Sequence, residues 1–455
     1  MKESLICAAL IILGLTSFSV AEDQVELLPE VKELITPKPL DPELLENSYS
    51  VGLLGLLYPT DDYYEVAKQT VKTNYESLMN KEPSKKLISM KDRLPQGQVM
   101  LAWSENINLL YDELLLCSEY MAKNCFTKTI QSRDQIEQLL LDNQKLLQRY
   151  NDIVKNSDKH TDLYLLSDGS EYNDFSLDAL PSYHHIPKVI RLTLNQVILQ
   201  LNDHQIKQAI ENIQDVEQGI RLLTPDNEIV GLIPQMLGVA YRSYLDLYLN
   251  AILDEGLLIN ELNNSDVVGL FQPYSEQHRK NLIQTMEAEI KWVLNNLIKN
   301  GKYIMSNEAL NQGYIFNQKL IELIKNDTFV DQKEQLVKEC EALNAQYEDI
   351  CSVFAFEDYL ARYDTQSNYH NMVYLKYLIL RDNIQDQDIP TFLKAQGDIA
   401  IDPITQEPFQ WNAEARTIFI PFPIDKHLPI QIRMAVMKNP DIKNLQVTIP
   451  KRDSK

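Results

Sequence analysis

Apolar residues recur every three or four positions over most of the chain, a spacing typical of helices that bury one face. The clearest case is two segments, 187–201 and 206–223, separated by the polar pair Asn202 and Asp203. Further helices are predicted over residues 99–121, 129–155, 228–254, 274–299, 307–325, 331–362 and 369–385. Short connections favour antiparallel hairpins. The pattern therefore predicts a mainly α fold, either a bundle or an irregular solenoid.

The pattern changes after about residue 390. Residues 399–401 and 415–422 alternate between apolar and polar positions, as strands do, and residues 402–408 contain turn-forming types. We expect a small C-terminal β-hairpin with a tail, over residues 391–455, after a helical body at 47–390. A long polar segment at 157–185 interrupts the body and is predicted to be a loop.

The amino terminus has the pattern of a secretory signal peptide. Lys2 precedes an apolar stretch at 5–15, and the small residues Ser19 and Ala21 flank a candidate cleavage site. The stretch is short for a membrane span. We expect residues 1–21 to be removed and the protein to reach the periplasm. Retention of this segment, as an inner-membrane anchor, is the alternative and the one case in which membrane association is expected.

Residues 22–46 contain four prolines among acidic residues and are predicted to form an extended leader.

Four cysteines remain after the predicted cleavage: Cys117, Cys125, Cys340 and Cys351. An even number in an exported protein suggests two disulfides, with three possible connectivities. On one unbroken helix Cys340 and Cys351 would lie about 16 Å apart along the axis, whereas a disulfide needs Cα atoms within about 7 Å. That pair therefore requires a turn, and Asn124 offers a helix end for the other. We favour 117–125 and 340–351, with buried free thiols as the alternative.

Composition and charge exclude several classes of function. The formal net charge is -22, from 43 basic and 65 acidic residues, and repels nucleic acid. Mean hydropathy is -0.28, which argues against a protein with several membrane spans. The sequence has no Gly-x-Ser-x-Gly elbow, Gly-Lys-Ser/Thr phosphate loop or Gly-x-Gly-x-x-Gly turn. No cofactor is expected.

Two pairs of residues could in principle bind a metal ion. His184 and His185 are adjacent, and Asp425 and His427 lie near the carboxy terminus. A metal site needs three or four converging ligands, and no His-Glu-x-x-His spacing occurs. We expect no metal site, with surface or capping roles for the histidines.

A set of charged residues lies on predicted helices that are otherwise apolar: Arg191, Arg242, Asp246, Glu287 and Glu289. If they point inward they must be paired, because an unpaired buried charge is costly. We favour a buried structural network over an acid–base pair, for which Glu287 and Glu289 are the weak catalytic candidates.

Three tyrosines repeat at helical spacing: Tyr241, Tyr244 and Tyr248. This stripe predicts core packing rather than a groove for carbohydrate or peptide.

Short motifs recur along the mature chain: Asn47, Tyr49, Leu54-Gly55, Pro59, Cys117, Cys125, Leu146-Leu147, Arg149-Tyr150, Pro181, Arg191, Glu289, Asp402-Pro403, Thr405, Pro408 and Trp411. As a set they resemble an uncharacterised family of exported, mostly helical proteins from Gram-negative bacteria. The last group looks like the Asp-Pro-x-Ser/Thr-Gly-x-Pro element that ends such proteins, with Gln406 in place of the glycine. The resemblance implies compartment and fold, and brings no activity with it.

These observations favour an exported envelope protein that acts as a non-enzymatic helical scaffold or a partner-binding module. The partner would be another envelope protein, bound through the 157–185 loop. The alternative is a periplasmic hydrolase or lyase that uses the paired carboxylates of Glu287 and Glu289.

Overall fold

Helices make up most of the described structure. The computed structural model describes residues 25–36, 40–79, 88–109, 114, 117, 120–121, 124–161, 183–225, 230–273, 280–286, 298–299, 302–303, 306–326, 329–347, 353–421, 430–439 and 441–451. Its labelled helices are α1 (Pro29–Ile35), α2 (Tyr49–Gly55), α3 (Tyr63–Met79), α4 (Cys125–Gln131), α5 (Arg133–Asp142), α6 (Gln144–Asn156), α7 (Ile186–Asn202), α8 (Ile206–Arg221), α9 (Leu232–Asp254), α10 (Ser265–Phe271), α11 (Asn307–Lys325), α12 (Phe329–Tyr347), α13 (Val353–Arg381), α14 (Ile389–Ala395) and α15 (Ile430–Lys438). The mainly α prediction is confirmed.

The predicted helical pair is present as the hairpin of α7 and α8. Pro187 occupies the first turn of α7, where its missing N–H costs nothing. The turn closes at Asp203 and His204, and His204 has a left-handed φ of 59°. α7 is buried along nearly its whole length because α4, α5, α8 and α9 pack around it.

The main core surrounds α9 and the second half of α13. Tyr248, Leu249 and Ile252 of α9 and Met372 and Val373 of α13 have no exposed surface. These two helices pack along each other, and a small sheet packs against α13. α9 and α13 thus form the centre of the molecule, where the candidate site lies.

Residues 25–36 correct the prediction of an extended leader over 22–46. They contain helix α1, and its Val31 is completely buried in a second core with α11 and α12. Asn311 of α11 donates to the carbonyl of Glu26 and accepts from the N–H of Leu28, both at 2.9 Å. The apolar residues of this segment therefore pack against the helical body, despite the nearby prolines.

Several helix boundaries differ from the predictions. The segment predicted as one helix over 129–155 forms α4, α5 and α6, with breaks at Ser132 and Asn143. The segment 331–362 is divided, because α12 ends at Tyr347 and α13 begins at Val353. Residues 99–104 are not helical, and a short 3₁₀ helix, Glu105–Asn108, follows them where the start of a long helix is predicted.

The strands are β1 (Ile298–Lys299), β2 (Lys302–Tyr303), β3 (Gln410–Asn412), β4 (Thr417–Pro421) and β5 (Asn444–Thr448). The last three form an antiparallel sheet in the order β3-β4-β5. The predicted C-terminal hairpin is confirmed, with Trp411 paired to Ile418.

Residues 399–401 are not the partner of β4, so that part of the prediction is wrong. Residues Gly397–Ala400 form a 3₁₀ helix, and Ile401 makes only an isolated bridge to Pro408. In the turn that follows, Gln406 has a φ of 60°, the left-handed conformation that glycine adopts most easily.

Candidate functional site

A group of polar and charged side chains lies inside the main core, where α8, α9 and α13 meet. It consists of Glu217 on α8, Arg242 and Asp246 on α9, and Gln366 and His370 on α13. We call these five residues the ionic cluster. A spacing of four places two members on one face of α9 and two on one face of α13. The two helices therefore present pairs of polar side chains to each other.

Asp246 is the centre of the ionic cluster. Its Oδ1 accepts hydrogen bonds from Arg242 Nε at 3.0 Å and from His370 Nδ1 at 2.9 Å. Its Oδ2 accepts from Gln366 Nε2 at 2.7 Å. Asp246 and His370 have no exposed surface. The carboxylate is thus surrounded by donors from its own helix and from α13.

Arg242 connects the cluster to two further elements. Its Nη1 donates to Glu217 Oε2 on α8, and its Nη2 donates to the carbonyl of Leu270 in α10 at 2.9 Å. The other oxygen of Glu217 accepts from Arg221 Nε at 2.9 Å, and the Arg221 side chain is half exposed. One guanidinium therefore joins three helices.

Both ring nitrogens of His370 face oxygen acceptors. Nδ1 faces the carboxylate of Asp246, and Nε2 lies 2.7 Å from the carbonyl of Gln272. The Nη2 of Arg242 also lies 3.2 Å from Nδ1, so the guanidinium, the imidazole and the carboxylate meet at one point. The positive charge of Arg242 lies between the carboxylates of Asp246 and Glu217. Buried carboxylates are least costly when a cation and hydrogen-bond donors surround them.

The pKa of Asp246 reflects this balance. Burial alone raises the pKa of a carboxyl group, because it penalises the charged form. The neighbouring His370 and Arg242, through their charges and their hydrogen bonds, outweigh that effect and hold the pKa of Asp246 below its ordinary value. Asp246 is therefore ionised at neutral pH.

This arrangement is suited to joining helices rather than to catalysis. A general acid or base must exchange a proton with a bound substrate. In a nucleophile–histidine–carboxylate triad the second ring nitrogen faces the nucleophile, whereas in this cluster it is bonded to the main chain at Gln272. The structural network expected for Arg242 and Asp246 is the arrangement observed.

A buried lysine lies about two helical turns further along the interface of α9 and α13. Lys376 Nζ donates to the carbonyl of Asn250 at 3.1 Å, to its side-chain oxygen at 2.8 Å and to Asp254 Oδ1 at 2.6 Å. Burial lowers the pKa of Lys376 to about 8, although the charge of Asp254 opposes that effect. The ammonium group thus binds the last turn of α9, where the helix dipole favours a cation.

Arg191 is separate from the ionic cluster. Its guanidinium lies 4.5 Å from the ring centroid of Tyr244, and its Nη2 donates to the hydroxyl of that tyrosine at 2.6 Å. All three tyrosines of the stripe are buried, as predicted for core residues. Tyr241 donates to the carbonyl of Tyr183, and Tyr248 donates to Asn195 Oδ1.

The side chains of the two adjacent histidines lie in different surroundings. His185 is buried and its Nδ1 accepts from Trp103 Nε1 at 2.8 Å, whereas His184 is exposed. Burial, together with His184 and Lys188, lowers the pKa of His185 to about 3, so its ring is neutral. No three His, Cys, Asp or Glu side chains converge as metal ligands within the described ranges.

Cys117 and Cys125 form the disulfide that the sequence favours. Their sulfur atoms are 2.09 Å apart and their Cα atoms 4.9 Å apart. Cys340 is buried on α12 and is disulfide-bonded. Cys351 lies outside the described residues, so the 340–351 pair stays a prediction.

Other candidates also lie outside the described residues. They are Ser19 and Ala21 of the signal peptide, Glu287 and Glu289, Asp425 and His427, and most of the 157–185 loop.

Sequence reasoning missed Glu217, Gln366, His370 and Lys376. The one signal available was the four-residue spacing of Gln366 and His370 on a helix with many tyrosines. The partners of His370 are 98 and 124 residues away in sequence, and spacing along the chain does not reveal them.

Comparisons with known proteins add no identity to this site. No protein-family model matches the chain, and neither a curated protein nor a solved structure is similar to it. Among the helices of the described part, none combines the length and the apolar character that a membrane crossing needs.

Proposed function

We propose that this protein is an exported envelope protein that acts as a non-enzymatic helical scaffold or partner-binding module. The observation that carries the proposal is the closure of the ionic cluster. Its members are at most 8% exposed, and their donors and acceptors bond to one another, to the main chain or to the side chains of Arg221 and Ser243. The side chains best suited to acid–base chemistry are thus committed to holding α8, α9 and α13 together.

Two observations support export. The first 21 residues have the pattern of a signal peptide. Cys117 and Cys125 are at bonding distance, and such bonds persist in oxidising compartments such as the periplasm. The acidic surface, with a formal net charge of -22, favours a partner with a basic surface.

Export is tested on protein purified from the native envelope without reductant. Mass spectrometry should find Glu22 as the first residue, and Cys117 and Cys125 should resist alkylation until the protein is reduced. Soluble cytosolic protein that retains residues 1–21 and has reduced thiols would overturn the assignment. An intact amino terminus in the membrane fraction would instead support the anchored alternative.

The scaffold function is tested by photo-cross-linking in intact cells. The cross-linking residue is placed at Val99, Leu141 or Met437, large apolar residues that are 78%, 66% and 73% exposed. We expect one discrete adduct with one envelope protein from at least one position, because exposed apolar side chains favour contact with a partner. The matched control is Lys207, whose side chain is 92% exposed and polar.

The hydrolase or lyase alternative makes a different prediction. If the purified protein turns over a substrate, Glu287→Gln or Glu289→Gln should abolish the turnover while the fold is retained. Turnover of this kind, together with no adduct at any of the three positions, would reject the scaffold proposal.

A further inference from the structure

In the described part of the chain, the side chain of Tyr120 covers the outer edge of β5 at Gln446. β5 pairs with β4 on one side only, because it is the last strand of the sheet. The main-chain groups of Gln446 point away from β4, since its N–H donates to the hydroxyl of Tyr120 at 2.7 Å. An uncovered strand edge offers such groups to any other extended chain. Tyr120 therefore occupies the place of a neighbouring strand.

Tyr120 is held firmly at this edge. Its hydroxyl lies 3.2 Å from the carbonyl oxygen of Asn444 and 3.3 Å from that of Gln446, so it can donate to either. The ring packs edge-on against Tyr369 of α13 with 5.7 Å between centroids, and only 3% of Tyr120 is exposed. The hydroxyl of Tyr120 thus accepts one hydrogen bond and donates another at the edge of β5 that does not pair with β4.

The segment that carries Tyr120 is closed by the disulfide between Cys117 and Cys125. Within it, Met121 and Asn124 have left-handed φ angles of 59° and 56°. This conformation costs roughly 1–2 kcal/mol for an ordinary residue and less for asparagine. The bond between the two cysteines limits the conformations that Met121 and Asn124 could otherwise adopt.

We propose that the Cys117–Cys125 disulfide is a redox latch that keeps Tyr120 over the edge of β5. A dithiol reductant breaks the sulfur–sulfur bond. Two electrons and two protons pass to the cysteines, which become thiols, and the reductant becomes a disulfide. Met121 and Asn124 then lose this constraint, Tyr120 leaves the strand, and the N–H and C=O of Gln446 become available. The latch does not depend on the scaffold function, because it involves only the crosslink, Tyr120 and β5.

Amide hydrogen exchange of the whole mature chain tests the latch. The Cys117→Ser/Cys125→Ser double variant removes the crosslink and leaves Cys340 and Cys351 unchanged. We expect the Gln446 amide to exchange about tenfold faster in this variant than in the oxidised protein, because it loses its acceptor. The matched control, Cys340→Ser/Cys351→Ser, should leave exchange at Gln446 unchanged.

Two further measurements separate the latch from general destabilisation. Oxidised Tyr120→Phe loses only the hydroxyl, so exchange should rise at Gln446 and not at Leu445 or Val447. Wild-type protein reduced with dithiothreitol should match the double-serine variant at Gln446. Unchanged exchange at Gln446 in the double-serine variant or in Tyr120→Phe would overturn the proposal. Equal acceleration throughout β4 and α13 would also overturn it.

Discussion

Asp246→Asn is the most direct test of how the ionic cluster stabilises the fold. The substitution keeps the shape of the side chain and removes its charge. The new amide has one oxygen and one NH2 group, whereas Asp246 receives three donors from Arg242, His370 and Gln366. At least one donor must then face the NH2 group, and Arg242 keeps Glu217 as its one anionic partner in the cluster.

The expected loss follows from the bonds to Asp246. Each of the three hydrogen bonds has the charged carboxylate as its acceptor, and the loss of one or two such bonds costs about 1.5–3 kcal/mol each. Removal of one partner from a buried ion pair costs about 3–5 kcal/mol, because the remaining charge stays in the core. The two estimates agree, so we expect Asp246→Asn to lower the free energy of unfolding by ~3–5 kcal/mol at pH 7.

Urea unfolding followed by circular dichroism measures this loss. The matched control is Glu137→Gln, which also neutralises a carboxylate in an i,i+4 pair with arginine. Glu137 lies 3.1 Å from Arg133 on the surface, where such pairs contribute at most about 0.5 kcal/mol. A difference between Asp246→Asn and wild type of less than about 1 kcal/mol would refute the assignment of the cluster as a principal stabilising network.

The same pair of proteins should show a defined pH dependence. The folded pKa of Asp246 lies below its unfolded value. The contribution of ionised Asp246 to the free energy of unfolding is therefore complete above about pH 4, the ordinary pKa range of an aspartate. It is lost as the pH falls through the pKa of the folded state. The stability difference between wild type and Asp246→Asn should be constant from neutral pH down to about pH 5 and shrink in acid.

Four further substitutions, of which Gly269→Ala is a control, test individual contacts by urea unfolding. The pKa of Lys376 is lowered to about 8 in the folded protein, so between about pH 8 and pH 10 the unfolded chain binds more protons. The free energy of unfolding of wild type should therefore rise relative to that of Lys376→Met as the pH increases over this range. A constant difference would contradict this. Gly238→Ala places a Cβ 2.3 Å from Thr224 Cγ2 and should cost about 1–3 kcal/mol, whereas Gly269→Ala meets nothing within 4 Å and should gain up to about 1 kcal/mol from helix propensity. Gln406→Gly should stabilise the protein by up to about 1 kcal/mol, because glycine relieves the left-handed φ of 60°; a loss of stability would show that its bond to Pro403 matters more.

The sequence predicts best those helices whose apolar stripe is clear and whose ends are marked by residues in the helix itself or next to it. α7 and α8 were predicted almost to the residue, because Pro187 and the Asn202–Asp203 pair define the ends of two clear stripes. The breaks at Ser132 and Asn143 lack such a signal, since neither proline nor glycine occurs there. Asn143 accepts from the N–H of Ser104 and donates to its hydroxyl, and this contact across 39 residues marks the second break.

The C-terminal region shows how alternation can mislead. Residues 399–401 alternate like a strand, yet a 3₁₀ helix ends at Ala400 and only Ile401 forms a bridge. The side chain of Asp402 accepts from the N–H of Ile404 and from the hydroxyl of Thr405. These local bonds favour a turn over a strand. The turn therefore begins immediately after Ile401, and β4 pairs with β3 instead.

Most of the candidate site depends on contacts that no local pattern encodes, and α13 shows why. Along this one helix, His370 bonds to α9, Asn368 Nδ2 donates to Asp402 at 2.7 Å, and Lys376 binds the end of α9. Apolar packing alone would tolerate a slide of α13 along α9 by one turn, about 5.4 Å. Such a slide would break the contacts of His370 and Lys376 with α9 together and leave the charges at these contacts buried without partners. The polar residues therefore fix the register of α13, and Asn368 joins this helix to the turn at Asp402 that precedes the C-terminal sheet. A scaffold that presents a surface to a partner needs this kind of fixed geometry.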